Sequence, residues 1–353
     1  MRFNLTEEQG LIQQAAEAFA RDHGSSGQVR AAMASPLGFD EKTWASLGEI
    51  GFPVTLLPTN VGGQGLGAVE MALVFEALGA KLLPSPLLAT GVLSASVLAS
   101  LQHSMAREVA ALIASSNRRG AVARIENRSA RFVLDAHIAD YLLIEQDGRC
   151  RLIEAQAPGE FAGVRVTRLK MMDQSRVLSH LGLDHECAAK SEVLAEGDSV
   201  TRAFDHAFDM GRLAIAAEAV GAAQECLTRT VEYVQQRVQF GRAIGSFQAV
   251  KHQLADMMVG VEAARSAVYY AAASANDHPL RLPAMAALAK LEASEALTHA
   301  AGRMIQLHGG IGFTWEHDAH LYFKRARGMA TLFGTNAALD ERIARHIGLD
   351  DAA

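Results

Sequence analysis

The chain has 353 residues, of which 50% are apolar and 20% charged, with 30 Gly and 8 Pro. That composition excludes bulk disorder and collagen-like repeats, and the length suggests two or three domains with ample core. Lys plus Arg (33) against Asp plus Glu (39) leaves a formal charge of −6 with no long basic run, so no nucleic-acid partner is expected. The opening MRFNLTEEQGLIQQ lacks the apolar core and cleavage site of a signal peptide. The best candidate for a membrane span, Leu87 to Leu101, is too short and rich in Ser and Ala. Cys150, Cys187 and Cys226 stand alone without CxxC spacing, which argues against a disulfide framework and a zinc site. The expectation is a cytoplasmic, multi-domain protein without a membrane partner.

From Leu5 to about Ala114 the pattern is helical. Thr6 with Gln9 three residues on predicts an N-cap and capping box, followed by the apolar face Leu11, Ala15, Ala18 and Phe19. Trp44, Leu47 and Ile50 continue in helical spacing until Gly51. The Gly-rich turn Gly62–Gly67 precedes a further helix carrying Met71, Val74, Phe75 and Leu78, closed by Pro84 and Pro86.

From about Arg118 to Glu196 the character changes to short apolar runs bounded by Gly, Asp and Asn. Strands are expected at Gly120–Ile125, Ala139–Ile144, Cys150–Ile153, Val164–Leu169 and Glu192–Ala195. Asp147-Gly148 between two of them is a hairpin signal. From Val200 onward the helical signal is strongest. Leu213, Ala217, Val220, Gln224, Leu227, Val231 and Val234 step by four and three, and Val250 to Ala271 repeat the stepping. A third long helix runs from about Ala284 to Leu307 and stops at Gly309-Gly310. The expected fold class is mainly α with a small central β domain, divided as 1–115, 116–198 and 199–353. The last part is an antiparallel helical bundle whose Ala-rich faces suit an oligomer.

Gly63-x-Gly65-x-x-Ala68 formally matches a dinucleotide fingerprint, but that motif needs a preceding strand within a βαβ unit. Phe52–Leu57 is the one candidate strand and Pro58 intervenes, so a helix–turn–helix connection fits better. Gln306 to Phe313 (QLHGGIGF) follows a helix instead of opening one. It reads either as a C-cap or as open backbone that a flat or anionic ligand approaches closely. Arg237 to Gln248 (RVQFGRAIGSFQ) interrupts two good helices with two arginines, two aromatics, two amides and two glycines. Guanidinium groups suit pyrophosphate, and amides with aromatics suit a heterocycle; the plainer reading is a solvated turn. His317-x-x-His320 lacks an obvious third ligand, so no metal is expected. No Gly-x-Ser-x-Gly elbow or partnered Cys points to covalent hydrolysis.

Together these segments resemble the acyl-CoA dehydrogenase family, in order and over nearly the whole chain. The resemblance is carried by Leu5 to Gln9, Trp44 to Gly51, Gly62 to Gly67 and Glu76 to Gly79, and most specifically by Arg237 to Met257 and Gln306 to Gly312. It implies an N-terminal helical domain, a middle β domain and a C-terminal four-helix bundle, assembled as dimers or dimers of dimers with FAD across a subunit boundary. In the family's pattern Arg237, Gln239, Phe240 and Gln248 meet the adenosine-diphosphate part of FAD. Gln306, Leu307, His308, Gly309 and Gly310 meet the cofactor from a neighbouring subunit, and Thr335 with Asn336 supply a further flavin contact. Asp209, Met210, Gly211 and Arg212 match the substrate-contacting segment. The implied reaction is α,β-dehydrogenation of an acyl-CoA thioester, with an electron-transfer flavoprotein as acceptor.

Two departures matter. The family's Glu before a Gly-Thr pair is here Phe333, before Gly334-Thr335, and the other known base position is Gly211. Glu218 lies two helical turns beyond Gly211 on nearly the same face, about 10 Å along the axis, as a candidate substitute base or a structural residue. The family's Thr-Glu-Pro and Gly-Ser-Asp segments have no counterpart between Gly120 and Asp140, so the ring-side wall is shortened or missing. Asp173 to Arg176 resembles a retained loop. Three readings follow: a subunit of a heteromeric enzyme whose partner supplies the Glu, as in members acting on steroid side-chain CoA esters; a stand-alone dehydrogenase with a relocated base; or an assembly scaffold without FAD.

Overall fold

In a computed structural model the chain is described at residues 4–101, 103–184, 187 and 191–349, so the first three residues of the opening segment lie outside the described set. Along the chain a helical region is followed by a β sheet and then by a second helical region. The chain forms two compact units. One comprises Met1–Val29, Ala72–Leu83 and Arg212–Ala353; the other comprises Arg30–Met71 and Pro84–Gly211. Among the described residues no helix is long and apolar enough to cross a membrane.

In the sheet-bearing unit, helix α3 (Glu41–Ile50, after α1 Glu7–His23 and α2 Ser26–Ala34) starts where the Asp40 carboxylate accepts from Thr43 N at 2.8 Å. That bond holds the Asp40 carboxyl below its ordinary range. The helix ends at Gly51, whose φ of 88° is open to glycine. Phe52–Val54 is a 3-10 turn, not a strand, and Gly62–Gly67 is a loop entering α4 (Ala68–Ala80). The dinucleotide fingerprint thus lacks its strand. Helix α4 stops at Ala80, well before Pro84, because Leu82 turns left-handed at φ 52°. Leu88–Ser94 is a fully buried stretch of π-helix continuing into α5 (Ala95–Ser100), and α6 spans Ser104–Ser116. Trp44 Nε1 donates to Asn117 O (3.0 Å) and Asn117 Nδ2 donates to Trp44 O (2.8 Å), which ties α3 to the end of α6.

The sheet contains eight strands: β1 Gly120–Arg124, β2 Ser129–Leu134, β3 Tyr141–Gln146, β4 Arg149–Ala157, β5 Glu160–Phe161, β6 Val164–Arg168, β7 Leu178–Leu183 and β8 Glu192–Glu196. The order is β1-β3-β4-β5-β6-β7-β2, with β8 also on β4 and with β1 parallel to β3. The expected hairpin is present: Gln146 pairs with Arg149, and Asp147 and Gly148 both take positive φ (52° and 70°), as a type I′ turn requires. Strands β2 and β7 escape a pattern reading. A bulge between Ala130 and Val133 breaks the alternation of β2, and β7 (LSHLGL) has no β-branched residue. Ala121, Ala123, Leu142, Ile144, Ile153 and Leu181 lie in one buried apolar cluster inside this sheet.

In the other unit α1 carries the expected capping box, with Thr6 and Gln9 bonded reciprocally. The long helices are α7 (Asp198–Gln236, whose first part belongs to the sheet-bearing unit), α8 (Gln248–Asp277) and α9 (Leu282–His308), followed by α10 (Ala319–Met329) and α11 (Asn336–His346). Met257, Val261, Ala264, Val268 and Ala271 of the predicted stripe on α8 are buried; Val250 and Leu254 are half-buried at its start. Gly79 of α4 and Gly221 of α7 make a close helix crossing. A Cβ at either would collide with backbone of the other helix, at Glu218 and Glu76 respectively.

Candidate functional site

The candidate residues of the bundle unit fall at two places along α7, around Arg212 and at its C-terminal end. At its C-terminal end, Arg237 follows α7 and opens a small hairpin in which Val238–Gln239 pairs with Arg242–Ala243. The turn residues Phe240 and Gly241 take φ 53° and 76°. A phenylalanine rarely adopts that backbone conformation, and this one is 91% exposed. Its ring meets Phe247 edge-on at 6.2 Å, and Arg242 lies 4.0 Å over Phe247. Arg237, Gln239 and Gln248 are exposed; the Gln239 amide reaches only its neighbour's carbonyl, Val238 O, at 2.9 Å.

The second segment is brought to the same end. Tyr233, one turn before Arg237, stacks on His308 at 4.2 Å and donates to His308 O at 3.3 Å. Gln306 is exposed, Leu307 half-buried and His308 buried, with its ring against Met304 O and 4.5 Å from His317. Burial pushes the His308 imidazole toward its neutral form. Gly309 sits at φ 64°, ψ −143°, a conformation essentially reserved for glycine. Nothing lies within 4 Å of a Cβ on Gly309 or Gly310, so this backbone is open. His320 packs instead on Trp315 at 4.6 Å. Among the described residues no group of three metal-ligating side chains forms.

Near the start of α9 the surroundings are different. Phe333 is half-buried at φ 59°, and its carbonyl accepts from Arg212 Nε at 2.9 Å. Lys290 is fully buried, and its ammonium donates to Gly334 O (2.6 Å) and Ala330 O (3.3 Å). Burial, with Arg212 beside it, pushes the Lys290 amine down to about 8. Thr335 caps α11 by accepting from Ala338 N, and Asn336 Nδ2 approaches Glu295 Oε1 at 3.4 Å. Glu218 is 5% exposed and its carboxylate is engaged in an ion pair with Arg325, itself 1% exposed. Gly211 is buried, and no carboxylate stands at that position or at Phe333.

Arg212 and Tyr233 are about 31 Å apart along α7 at 1.5 Å per residue. The structure therefore joins Arg237–Gln248 with Gln306–Gly310, and joins Arg212 with Phe333, but does not bring the two groups together. Sequence reading passed over Lys290, Arg325 and Tyr233. A lysine on the apolar stripe of Ala286, Ala293 and Leu297 is the signal that would have found Lys290.

In the sheet-bearing unit Asp209 and Met210 are buried on α7. Burial pushes the nearby His206 toward neutrality and Asp209 partly offsets this. Between β1 and β2 the chain makes a tight turn at Asn127 and Arg128, bridged by Glu126 and Ser129. Arg124, at the end of β1, is ion-paired with Glu145 and with Asp205 of α7 and lies 5.6 Å over Phe208.

Models of the acyl-CoA dehydrogenase N-terminal and C-terminal domains match residues 6–116 and 201–348. The chain is 37% identical over 327 residues to acyl-CoA dehydrogenase IpdE2 of Mycobacterium tuberculosis (strain ATCC 25618 / H37Rv), covering 92% of this chain and 93% of that one. It belongs to the acyl-CoA dehydrogenase family. Solved structures similar to this family member include the ChsE4-ChsE5 complex from Mycobacterium tuberculosis, with TM-score 0.86, 27% identity and coverage of 98% of this chain and 99% of that one. The Tcur3481-Tcur3483 steroid ACAD is similar at TM-score 0.84 and 27% identity, covering 98% and 99%. Membership makes the chain an acyl-CoA dehydrogenase-type oxidoreductase with the fold of that family.

Proposed function

We propose that this chain is the base-lacking subunit of a heteromeric, FAD-dependent acyl-CoA dehydrogenase, whose partner subunit supplies the catalytic Glu. The observation that carries the reading is Phe333. A phenyl ring cannot take an α-proton, Gly211 cannot replace it, and Glu218 is held by Arg325 inside the bundle. The likeness to the ChsE4-ChsE5 complex and to the Tcur3481-Tcur3483 steroid ACAD supports both a two-chain assembly and a bulky, steroid-derived acyl-CoA as substrate.

The residues at the far end of α7 fit FAD by the chemistry of their donors. Arg237 suits the diphosphate; Gln239, Gln248 and Phe240 suit the adenosine; the open backbone of Gly309 and Gly310 admits close approach. Thr335 and Asn336 are the contacts proposed beside the turn that Arg212 holds. Their separation from Arg237 supports a cofactor shared by two subunits. So does the row of exposed apolar side chains Val238, Phe240, Ile311 and Phe313 on the donor-rich end. When bound, FAD supplies acceptance of the β-hydride, with delivery of the electron pair to an electron-transfer flavoprotein. This chain's part is to bind and orient, with Asp209 to Arg212 as its proposed substrate-contacting segment. The buried free cysteines suit a reducing compartment and support a cytoplasmic location.

The test is expression of this chain alone and together with an acyl-CoA dehydrogenase-like chain that has Glu before Gly-Thr. Flavin content, size and dehydrogenation of a steroid-derived CoA ester are then measured. Stoichiometric FAD and turnover only in the co-expressed complex are expected. Turnover by this chain alone would remove the heteromer reading.

A further inference from the structure

The turn between α10 and α11 is held from outside by two cations. Its own bonds are few: Gly334 N reaches Thr331 O at 3.4 Å, and Thr331 Oγ1 reaches Gly328 O at 3.3 Å. Two successive residues, Phe333 and Gly334, take positive φ (59° and 121°), a path that a phenylalanine does not choose for itself. Against that turn Lys290 donates to the carbonyls of Ala330 and Gly334, and Arg212 to that of Phe333. Burying an ammonium without a carboxylate is costly, yet among the described residues Lys290 has no acidic partner. Hydrogen bonds from a charged donor are about twice as strong as neutral ones, and three bonds from Lys290 and Arg212 converge on this turn.

We infer that Lys290 and Arg212 are positioning residues. They clamp the Ala330–Gly334 carbonyls and thereby fix the wall formed by Phe333 and the approach of Thr335 and Asn336 to the cofactor. Only the cofactor half of this inference rests on the flavoprotein reading. The clamp itself is a property of the chain without ligand.

The experiment follows amide hydrogen exchange of the purified full chain, then FAD affinity of the co-expressed complex, in wild type, Lys290→Met and Lys290→Gln. Met fills the lysine's volume and donates nothing, whereas Gln keeps an N–H donor one bond shorter. In Lys290→Met, exchange across residues 331–336 is expected to quicken at least 10-fold, with α7 and α8 changed less than 2-fold and FAD binding weakened at least 10-fold. Lys290→Gln should fall between that variant and wild type. A role in packing alone predicts that Met preserves the turn, or that Met and Gln behave identically; either result overturns the clamp. If Lys290→Met does not fold, Arg212→Met, which removes the donor to Phe333 O, must open the same stretch by a smaller factor, and unchanged exchange there overturns it too. Should the turn open as expected while the co-expressed wild-type complex binds no FAD, the clamp stands and the flavin assignment fails.

Discussion

The C-terminal end of α7 and the stretch around Arg212 use similar residue types in opposite ways. At the C-terminal end Arg237, Gln239 and Gln248 stand exposed beside open glycine backbone and a phenylalanine held out in solvent. Around Arg212 and Glu218, the charges are engaged within the protein: Lys290 and Arg212 on carbonyls, Arg325 on Glu218. Polar groups that fold the chain must find partners inside it, because an unpaired buried charge costs several kcal/mol. Polar groups that wait for a ligand remain solvated at little cost. The contrast separates charges that hold the chain together from those proposed to bind along a single helix.

The strongest way to break the comparison is at the buried pair. Glu218→Ala removes the carboxylate that pairs with the buried Arg325 and should cost about 3–5 kcal/mol in urea unfolding; a loss below about 1 kcal/mol would mean the pair is not buried as described. Next comes pH. Lys290 is held near 8 in the folded chain against an ordinary 10.5, so between those values the unfolded chain carries the extra proton. Stability should therefore rise with pH across that window, by no more than about 1.4 kcal/mol per unit, and level off above it. Lys290→Met should lack that rise when its unfolding is compared with wild type at matched pH.

At the exposed end the expected stability effects shrink while the binding effects remain. Arg237→Ala should change unfolding free energy by less than about 0.5 kcal/mol, yet lower FAD affinity of the assembled enzyme at least 10-fold in a titration followed by flavin absorbance. Equal FAD affinity would place the diphosphate elsewhere. Phe240→Ala, at a 91% exposed turn residue, should leave the melting temperature of the isolated chain within about 1 °C and weaken assembly with the partner on a sizing column. Unchanged assembly would confine Phe240 to the cofactor side.

Periodicity made the long helices readable: the stripes on α7 and α8, the entry of α9 through Pro283 and its stop at Gly309 all have local causes. The Asp147-Gly148 hairpin was equally plain, since the two residues themselves prefer the turn's backbone angles. Strands β2 and β7 were not readable, because a bulge and a Ser/Gly-containing strand leave no alternation to detect. The candidate site divides along the same line. Arg237 to Gln248 and Gln306 to Gly310 are contiguous motifs whose residues carry their chemistry with them. The phenylalanine before Gly334-Thr335, on which the proposed heteromer rests, is likewise legible in the sequence.

What the sequence determined alone was thus the fold class and the family, both matters of local spacing and residue type. Only the tertiary structure decided that Glu218 belongs to Arg325, that Tyr233 draws the two proposed flavin segments to one end, and that Lys290 reaches the turn around Phe333. These residues are separated by 40 to 107 positions in the chain (from 290 to 330, and from 218 to 325). No periodic pattern joins residues so far apart; packing of parallel and antiparallel helices does, and a buried charge then takes whichever partner the packing brings within reach.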